Sequence, residues 1–286
     1  MTRNIDALLR AAEHQLTGLV EGPRADAEIL AQHTLGISRT MLRAFPERTT
    51  TTTAAGLFES AIARRAQGEP VAYILGEREF WSMRLKVTPA TLIPRPETET
   101  LVEAALDIVP PNAAWRVADL GTGSGAIALA IARERPRCQI TATDASNAAL
   151  DVAQENAIQL EIKNVDFRLG HWTEPLQGEK FDLIVSNPPY IAADDDHLRR
   201  GDLLFEPKTA LTPGQDGLTA IDQIVEGARQ CLKENGWLAL EHGWDQSAPV
   251  RALLNGYGFR AVVSIADLAG IARVTLGQFR VNITGD

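Results

Sequence analysis

The sequence predicts an α/β protein in which a small helical bundle precedes a seven-stranded sheet. Three observations carry this reading. From about Trp115 onward, strand-like and helix-like stretches alternate, which marks a parallel sheet covered by helices. The first strand of the series runs into Gly121-Thr122-Gly123-Ser124-Gly125 and then an apolar helix. The fourth, Phe181 to Ser186, stops abruptly in Asn187-Pro188-Pro189-Tyr190, because proline lacks the N–H that a sheet ladder needs.

Residues 1–72 read as helical throughout. Ile5, Leu8, Leu9, Ala12 and Leu16 share one helical face. A second helix runs from about Arg24 to Leu35, with Gly36 placed to cap it, and a third covers Ser38 to Ala44. In the fourth, Ala54 to Gln67, the apolar face is Leu57, Phe58, Ala61 and Ile62. Residues 73–95 change period: Phe80, Met83, Leu85 and Val87 roughly alternate with polar residues, which predicts a β-hairpin linker. Pro96 suits the first turn of the next helix, with Glu97 and Glu99 complementing its dipole. That leaves Arg95, held between Pro94 and Pro96, without a structural reason.

The sheet domain, 96–286, then unfolds in order. Strands are expected at Val117–Leu120, Ile140–Thr143, Val165–Leu169, Phe181–Ser186, Trp237–Leu240, Phe259–Ile265 and Val274–Phe279. Helices fill the gaps at about Ala126–Ala132, Ala148–Ala157, Gly217–Leu232 and Gln246–Leu254. Between Ile191 and Gly217 lies a long polar connection that includes Asp194-Asp195-Asp196 and Arg199-Arg200. Loops of that length in compact domains tend to be functional.

Composition narrows the function classes. The 286 residues are 45% hydrophobic and 23% charged, an ordinary globular balance. No run of 18 apolar residues occurs and no signal-peptide core follows Met1, so a cytoplasmic protein without membrane contact is expected. Cys138 and Cys231 read as buried free thiols, and the five histidines show no metal-ligand spacing. A formal charge of −9 argues against broad binding to nucleic acid.

Two loops carry the chemistry. Gly121, Gly123 and Gly125 allow a tight turn after the first strand, and the helix beyond offers free N–H groups at its start. Gly121, Gly123 and Ala126 also satisfy a dinucleotide fingerprint, with Asp144 near the expected acidic position, so an NAD-dependent oxidoreductase is a rival. Asp119 two residues before Gly121, and three alternating glycines, fit the S-adenosylmethionine version of this loop better. Asp144, ending the second strand, is suited to accept from both ribose hydroxyls; its structural alternative is an N-cap. Trp172 is read either as a cover for adenine or as ordinary core. At Asn187 and Pro188, a side-chain carbonyl and a backbone carbonyl make an acceptor pair for a substrate –NH2, and Tyr190 adds a flat face. The Asn-Pro-Pro-Tyr run resembles the motif of methyltransferases that act on planar amino groups.

A closer resemblance covers nearly the whole chain. Gly76 to Trp81, Leu92-Ile93-Pro94-Arg95-Pro96-Glu97-Thr98-Glu99, Asn187 to Tyr190, Glu206-Pro207 with Ala210-Leu211, Asp216-Gly217-Leu218 and Asp267 to Gly270 resemble the HemK/PrmC family of class I methyltransferases. This implies a Rossmann-like seven-stranded sheet and transfer of methyl from S-adenosyl-L-methionine to a glutamine side-chain amide. The glutamine would be that of the Gly-Gly-Gln motif of class I peptide-chain release factors. It also implies cofactor contacts at Gly121, Thr122, Gly123, Ser124, Gly125, Asp144, Trp172 and Asn187, and substrate contacts at Asn187, Pro188, Pro189 and Tyr190. The helical domain would bind the release factor, and a monomer without direct nucleic-acid contact is expected. Rival readings are a glutamine methyltransferase acting on a ribosomal protein, a nucleic-acid amino-methyltransferase, which would have to flip a base, and a non-catalytic binding module.

Overall fold

The computed structural model describes residues 2–199, 201–213 and 217–280. Arg200 and Asp216, both noted in the sequence, lie outside them. The chain packs as two compact units, Met1–Glu77 with Arg199–Phe205, and Arg78–Leu198 with Glu206–Asp286.

The first unit contains β1 (Thr2–Asn4), α1 (Ile5–Leu16), α2 (Pro23–Leu35), α3 (Arg39–Ala44), β2 (Thr49–Thr51), α4 (Thr52–Ala66) and α5 (Val71–Leu75). Asn4 caps α1 by accepting from the Ala7 N–H, and the helix buries Ile5, Leu8, Leu9, Ala12 and Leu16. Pro23 opens α2, and Gly36 closes it at φ +66°, the left-handed conformation that only glycine adopts without strain. Two expectations are corrected. The unit is not helical throughout, because Thr2–Asn4 pairs antiparallel with Thr49–Thr51; a β-branched threonine run favours extended backbone. Leu57 leaves the expected face and is 59% exposed, whereas α4 buries Ala55, Phe58, Ala61 and Ile62. One residue is about 100° of helix rotation, which carries Leu57 off the stripe of its neighbours. Within the same unit, Arg65 binds both Asp26 (2.7 Å) and Asp202 (2.9 Å), so the short stretch from the distant loop is tied in by charge.

The second unit begins at Arg78, within the ribbon formed by β3 (Glu77–Phe80) and β4 (Met83–Lys86). Its two tip residues, Trp81 and Ser82, both have positive φ, as a tight hairpin demands. Phe80, Met83 and Leu85 enter the core under α6 (Glu99–Ile108) and α7 (Ala126–Glu134). The main sheet consists of β5 (Arg116–Leu120), β6 (Gln139–Asp144), β7 (Val165–Leu169), β8 (Phe181–Ser186), β9 (Leu232–Glu241), β10 (Arg260–Ala266) and β11 (Ala272–Gln278). Around it stand α8 (Asn147–Gln159), the one-turn α9 (Lys208–Leu211), α10 (Thr219–Cys231) and α11 (Ser247–Gly256).

Strand order is β10-β11-β9-β8-β5-β6-β7. The expected parallel sheet is parallel from β9 to β7, but β11 runs antiparallel to both its neighbours. The five residues between β10 and β11 are too few for a crossover, so the chain must reverse. Asp267 braces that reversal by accepting from the Ala269 and Ile271 N–H groups. Strand order changes direction between β5 and β8, and open α/β sheets bind ligands at the carboxyl ends of strands at such a point. Among the described residues, no helix is long and apolar enough to cross a membrane. Cys138 and Cys231 are free and buried.

Candidate functional site

The two loops singled out in the sequence leave neighbouring central strands, β5 and β8, whose residues pair from Val117–Leu183 to Leu120–Ser186. Parallel strands carry both loops to the same edge of the sheet. There a cavity of about 490 Å³ opens in the second unit. Its walls include Gly121 to Ser124, Asp144, Trp172, Asn187 and Pro189, together with Arg95, Thr98 and Pro207.

The glycine loop is fixed from below. The Gly121 and Thr122 N–H groups both donate to the Thr143 carbonyl, at 2.8 and 2.9 Å. Asp119 is fully buried and accepts from the Thr122 hydroxyl (2.6 Å) and the Ala128 N–H (3.2 Å), while its Oδ1 has no hydrogen-bond partner. Burial pushes the Asp119 carboxyl up to about 7. Gly121, Gly123 and Gly125 all have positive φ. At Gly121 a Cβ would also meet the Trp172 ring at 2.9 Å, so the indole lies against bare backbone. Trp172 itself holds φ +48°, a cost for a large side chain, with its carbonyl accepting from the Thr143 hydroxyl (3.0 Å). Its indole N–H donates to Gln223 at 3.2 Å. The residue both lines the cavity and packs against the core under α10.

Asp144 closes β6 with one carboxylate oxygen on the Gly123 N–H (2.9 Å) and the other on the Ser146 N–H (2.8 Å). It does not cap α8; Ser146 does, by accepting from Ala149. Burial holds its carboxyl above the ordinary value, against the N–H groups of Ser146 and Gly123. A carboxylate has about four acceptor directions, and with the Ala145 N–H also directed at it, capacity remains for a further donor.

At the other loop, Asn187 Nδ2 donates to the Thr98 hydroxyl at 3.2 Å. One of the two amide hydrogens is thereby taken up by the protein. Asn187 and Pro189 line the cavity, whereas Pro188 is buried and neither it nor Tyr190 contributes to the wall. The Tyr190 hydroxyl turns toward Glu241 (3.3 Å), and its carbonyl accepts from Gln246 Nε2 (3.0 Å). Burial and Glu241 together raise the Tyr190 phenol well above its ordinary value.

Arg95, Thr98 and Glu206 stand in runs that carry the family resemblance but are given no role in the sequence, and Glu241 is not noted. Arg95 places one nitrogen 2.8 and 2.7 Å from the two oxygens of Glu206, whose side chain is fully buried. That pair accounts for an arginine locked between prolines; the signal was present in Arg95, but its partner lies 111 residues away. Glu241 was silent, although an acid directly after the apolar run Trp237–Leu240 at a strand's carboxyl end is a legible cue.

Comparison with known proteins bears directly on this arrangement. Residues 7–76 match the family model described as the PrmC N-terminal domain, and residues 98–217 match the Methyltransferase small domain. The release factor glutamine methyltransferase of Xylella fastidiosa (strain Temecula1) is 51% identical over 272 residues, covering 95% of this chain and 97% of its own. The chain belongs to the release factor glutamine methyltransferase family. The member from Escherichia coli K12 is 47% identical over 271 residues, with the same two coverages of 95% and 97%. The fold is that of class I methyltransferases. A methyltransferase from Pyrococcus furiosus, only 18% identical, superposes with a TM-score of 0.54 over 78% of this chain and all of its own.

Proposed function

We propose that this protein transfers a methyl group from S-adenosylmethionine to the side-chain amide nitrogen of the glutamine in the Gly-Gly-Gln motif of class I release factors. One observation carries the reading: a glycine loop built for close approach and an outward amide acceptor face the same cavity. The residues suit the cofactor. Beyond Gly123 a Cβ would meet nothing within 4 Å, so backbone is open to a ligand there. Asp144 offers acceptors for ribose hydroxyls, and the Trp172 ring offers a face for adenine. When bound, S-adenosylmethionine supplies an electrophilic methyl on a sulfonium.

The protein's part is to make a poor nucleophile usable. An amide lone pair is delocalised into its carbonyl. Asn187 Oδ1 and the Pro188 carbonyl would accept the two N–H hydrogens and hold the nitrogen in line with the methyl, so positioning supplies much of the rate. Acceptors set where positive charge develops on nitrogen stabilise the transition state further. No side chain of the turn is assigned as a general base. Tyr190 acts from behind the wall, through its hydrogen bonds.

The helical unit, with no catalytic cluster, would hold the folded release factor. The reading is of a cytoplasmic monomer that makes no direct contact with nucleic acid, in line with its charge of −9. Mass spectrometry after incubation with S-adenosylmethionine and full-length release factor tests it, with a ribosomal protein, DNA and RNA in parallel. Fourteen daltons on the Gly-Gly-Gln peptide is expected (roughly one methyl in place of one hydrogen). Label on a ribosomal protein or nucleic acid instead would assign a different substrate.

A further inference from the structure

Gly217 belongs to the run Asp216-Gly217-Leu218 that the sequence singles out, yet the reaction described above gives it no task. It is buried, holds φ +68°, and lies against the last residue of the Asn-Pro-Pro-Tyr turn. A Cβ there would come within 2.5 Å of the Tyr190 carbonyl oxygen and 2.8 Å of Gln246 Nε2. Conformation and space therefore both demand glycine. The same Gln246 nitrogen donates to the Tyr190 carbonyl at 3.0 Å and to the Gly217 carbonyl at 3.4 Å. One side-chain amide thus joins the two ends of the long polar connection.

We infer that Gln246 is a positioning residue that holds the acceptor turn in place by pinning Tyr190 to the start of α10. The inference rests on the reading of Asn187 and the Pro188 carbonyl as acceptors for a substrate –NH2. The orientation of the Gln246 amide is settled at its other end. The Gly243 N–H donates to Oε1 at 2.9 Å, and a donor can face only the amide oxygen. The NH2 is left with two hydrogens and two carbonyls, one for each. Its base is firm as well. The Gln246 N–H donates to the Gly243 carbonyl (3.0 Å), and the Gln246 carbonyl accepts from the Val250 N–H (3.0 Å) as α11 begins. A group locked in this way is a fixed point for the turn.

The other attachments of the turn act differently. Asn187 Nδ2 on the Thr98 hydroxyl and the Tyr190 hydroxyl on Glu241 hold side chains. The Ile191 N–H reaches the Leu211 carbonyl (3.0 Å), which belongs to the one-turn α9. Gln246 grips the backbone itself, two residues beyond the Pro188 carbonyl. Pro189 fixes φ on the way, so little slack separates the pinned carbonyl from the acceptor. Slack there is costly, because a misplacement of about 1 Å at a reacting group can lower a rate about a hundredfold.

The test is methyl transfer from S-adenosylmethionine to full-length release factor by wild type, Gln246→Ala and Gln246→Glu. Turnover, KM for release factor and cofactor affinity are measured separately. The Glu variant keeps the shape and still accepts from Gly243, but it turns a carboxylate oxygen on two carbonyls. The expected order of kcat is wild type, then Ala, then Glu, with a loss of about tenfold for Ala and more for Glu. Cofactor affinity by calorimetry should stay within about twofold, which also shows that each variant is folded. A role in shape alone gives the reverse order for the variants, Glu near wild type and Ala below it, and would overturn the inference. So would wild-type kcat in both. Gly217→Ala, which sets a methyl against the Tyr190 carbonyl, should lose kcat in the same manner. Should Gln246→Glu not fold, Gln246→Ala and Gly217→Ala decide, and wild-type kcat in both again overturns the pin. Amide exchange at Ile191 should quicken in Gln246→Ala as the turn loosens, and an unchanged rate there would also overturn it. Wild type that methylates no release factor would overturn the substrate reading instead, with exchange at Ile191 still deciding whether Gln246 holds the turn.

Discussion

At the scale of single residues, the site divides into groups that were legible as types and groups that were not. Asp144 and Asn187 could be singled out because a charged or amide side chain directly after an apolar strand has no packing reason to be there. Thr98 and Glu206 stood in quoted motif runs but carried no local hint of a role, since a threonine in a first helical turn and an acid in a polar loop are both commonplace. Their roles come from partners 89 and 111 residues away, a relation that periodicity cannot carry. Asp144→Ala should weaken S-adenosylmethionine binding by about 1.5–3 kcal/mol, the worth of hydrogen bonds to a charged group. Calorimetry giving unchanged affinity would remove Asp144 from the ribose. Asn187→Ala should instead fall on turnover: kcat down by two orders of magnitude or so, with cofactor affinity changed far less. Near-normal kcat would mean that the amide is not the acceptor.

At the scale of elements, strand and helix positions were largely legible because hydrophobic periodicity is a local property. Val165–Leu169 and Phe181–Ser186 fall where the pattern puts them. The reversed β11 and the pairing of β1 with β2 were not, since strand direction and partner depend on connection length and on distant chain. The clamp in the middle of α8 was equally hidden. Asn156, 0% exposed, accepts from the Lys86 N–H (2.6 Å) and donates to the carbonyls of Lys86 (3.0 Å) and Ser124 (2.9 Å). One helix residue thus joins the end of the β3–β4 ribbon to the glycine loop. Asn156→Ala would leave the buried Ser124 carbonyl unpaired, at about 1–3 kcal/mol, and remove two part-buried bonds to Lys86. Thermal unfolding should show a fall in Tm of several degrees, together with weaker cofactor binding; a Tm within a degree of wild type would refute the clamp.

At the scale of the whole molecule, two fully buried carboxyls, Asp119 and Glu241, are both pushed up to about 7. Their pKa values lie above the unfolded value of about 4, so the folded chain holds those protons more tightly. The resulting stability is fully present below about pH 4 and is lost as pH rises through about 7, on the order of a few kcal/mol for each group. Asp119→Asn removes one such dependence. The difference in Tm, variant minus wild type, should therefore be more favourable at pH 8 than at pH 5. A difference that does not change with pH would show that Asp119 ionises as an ordinary carboxylate.

The helical unit has one property that its place at the start of the chain conceals: it is discontinuous. Arg199–Phe205 belongs to it, held by Asp202 on Arg65, and the next residue, Glu206, is fixed on Arg95 in the other unit. Exchange of modules between relatives must respect that. A chimera that imports residues 1–77 from a relative, but keeps the native loop, presents Asp202 to a foreign surface. Importing 199–205 with it restores the matched pair. The double exchange should therefore melt at a higher temperature than the single one wherever the donor lacks a basic residue at position 65. Recombination between genes of this family is then constrained at two places more than a hundred codons apart, and a crossover at the apparent boundary alone yields a mismatched protein.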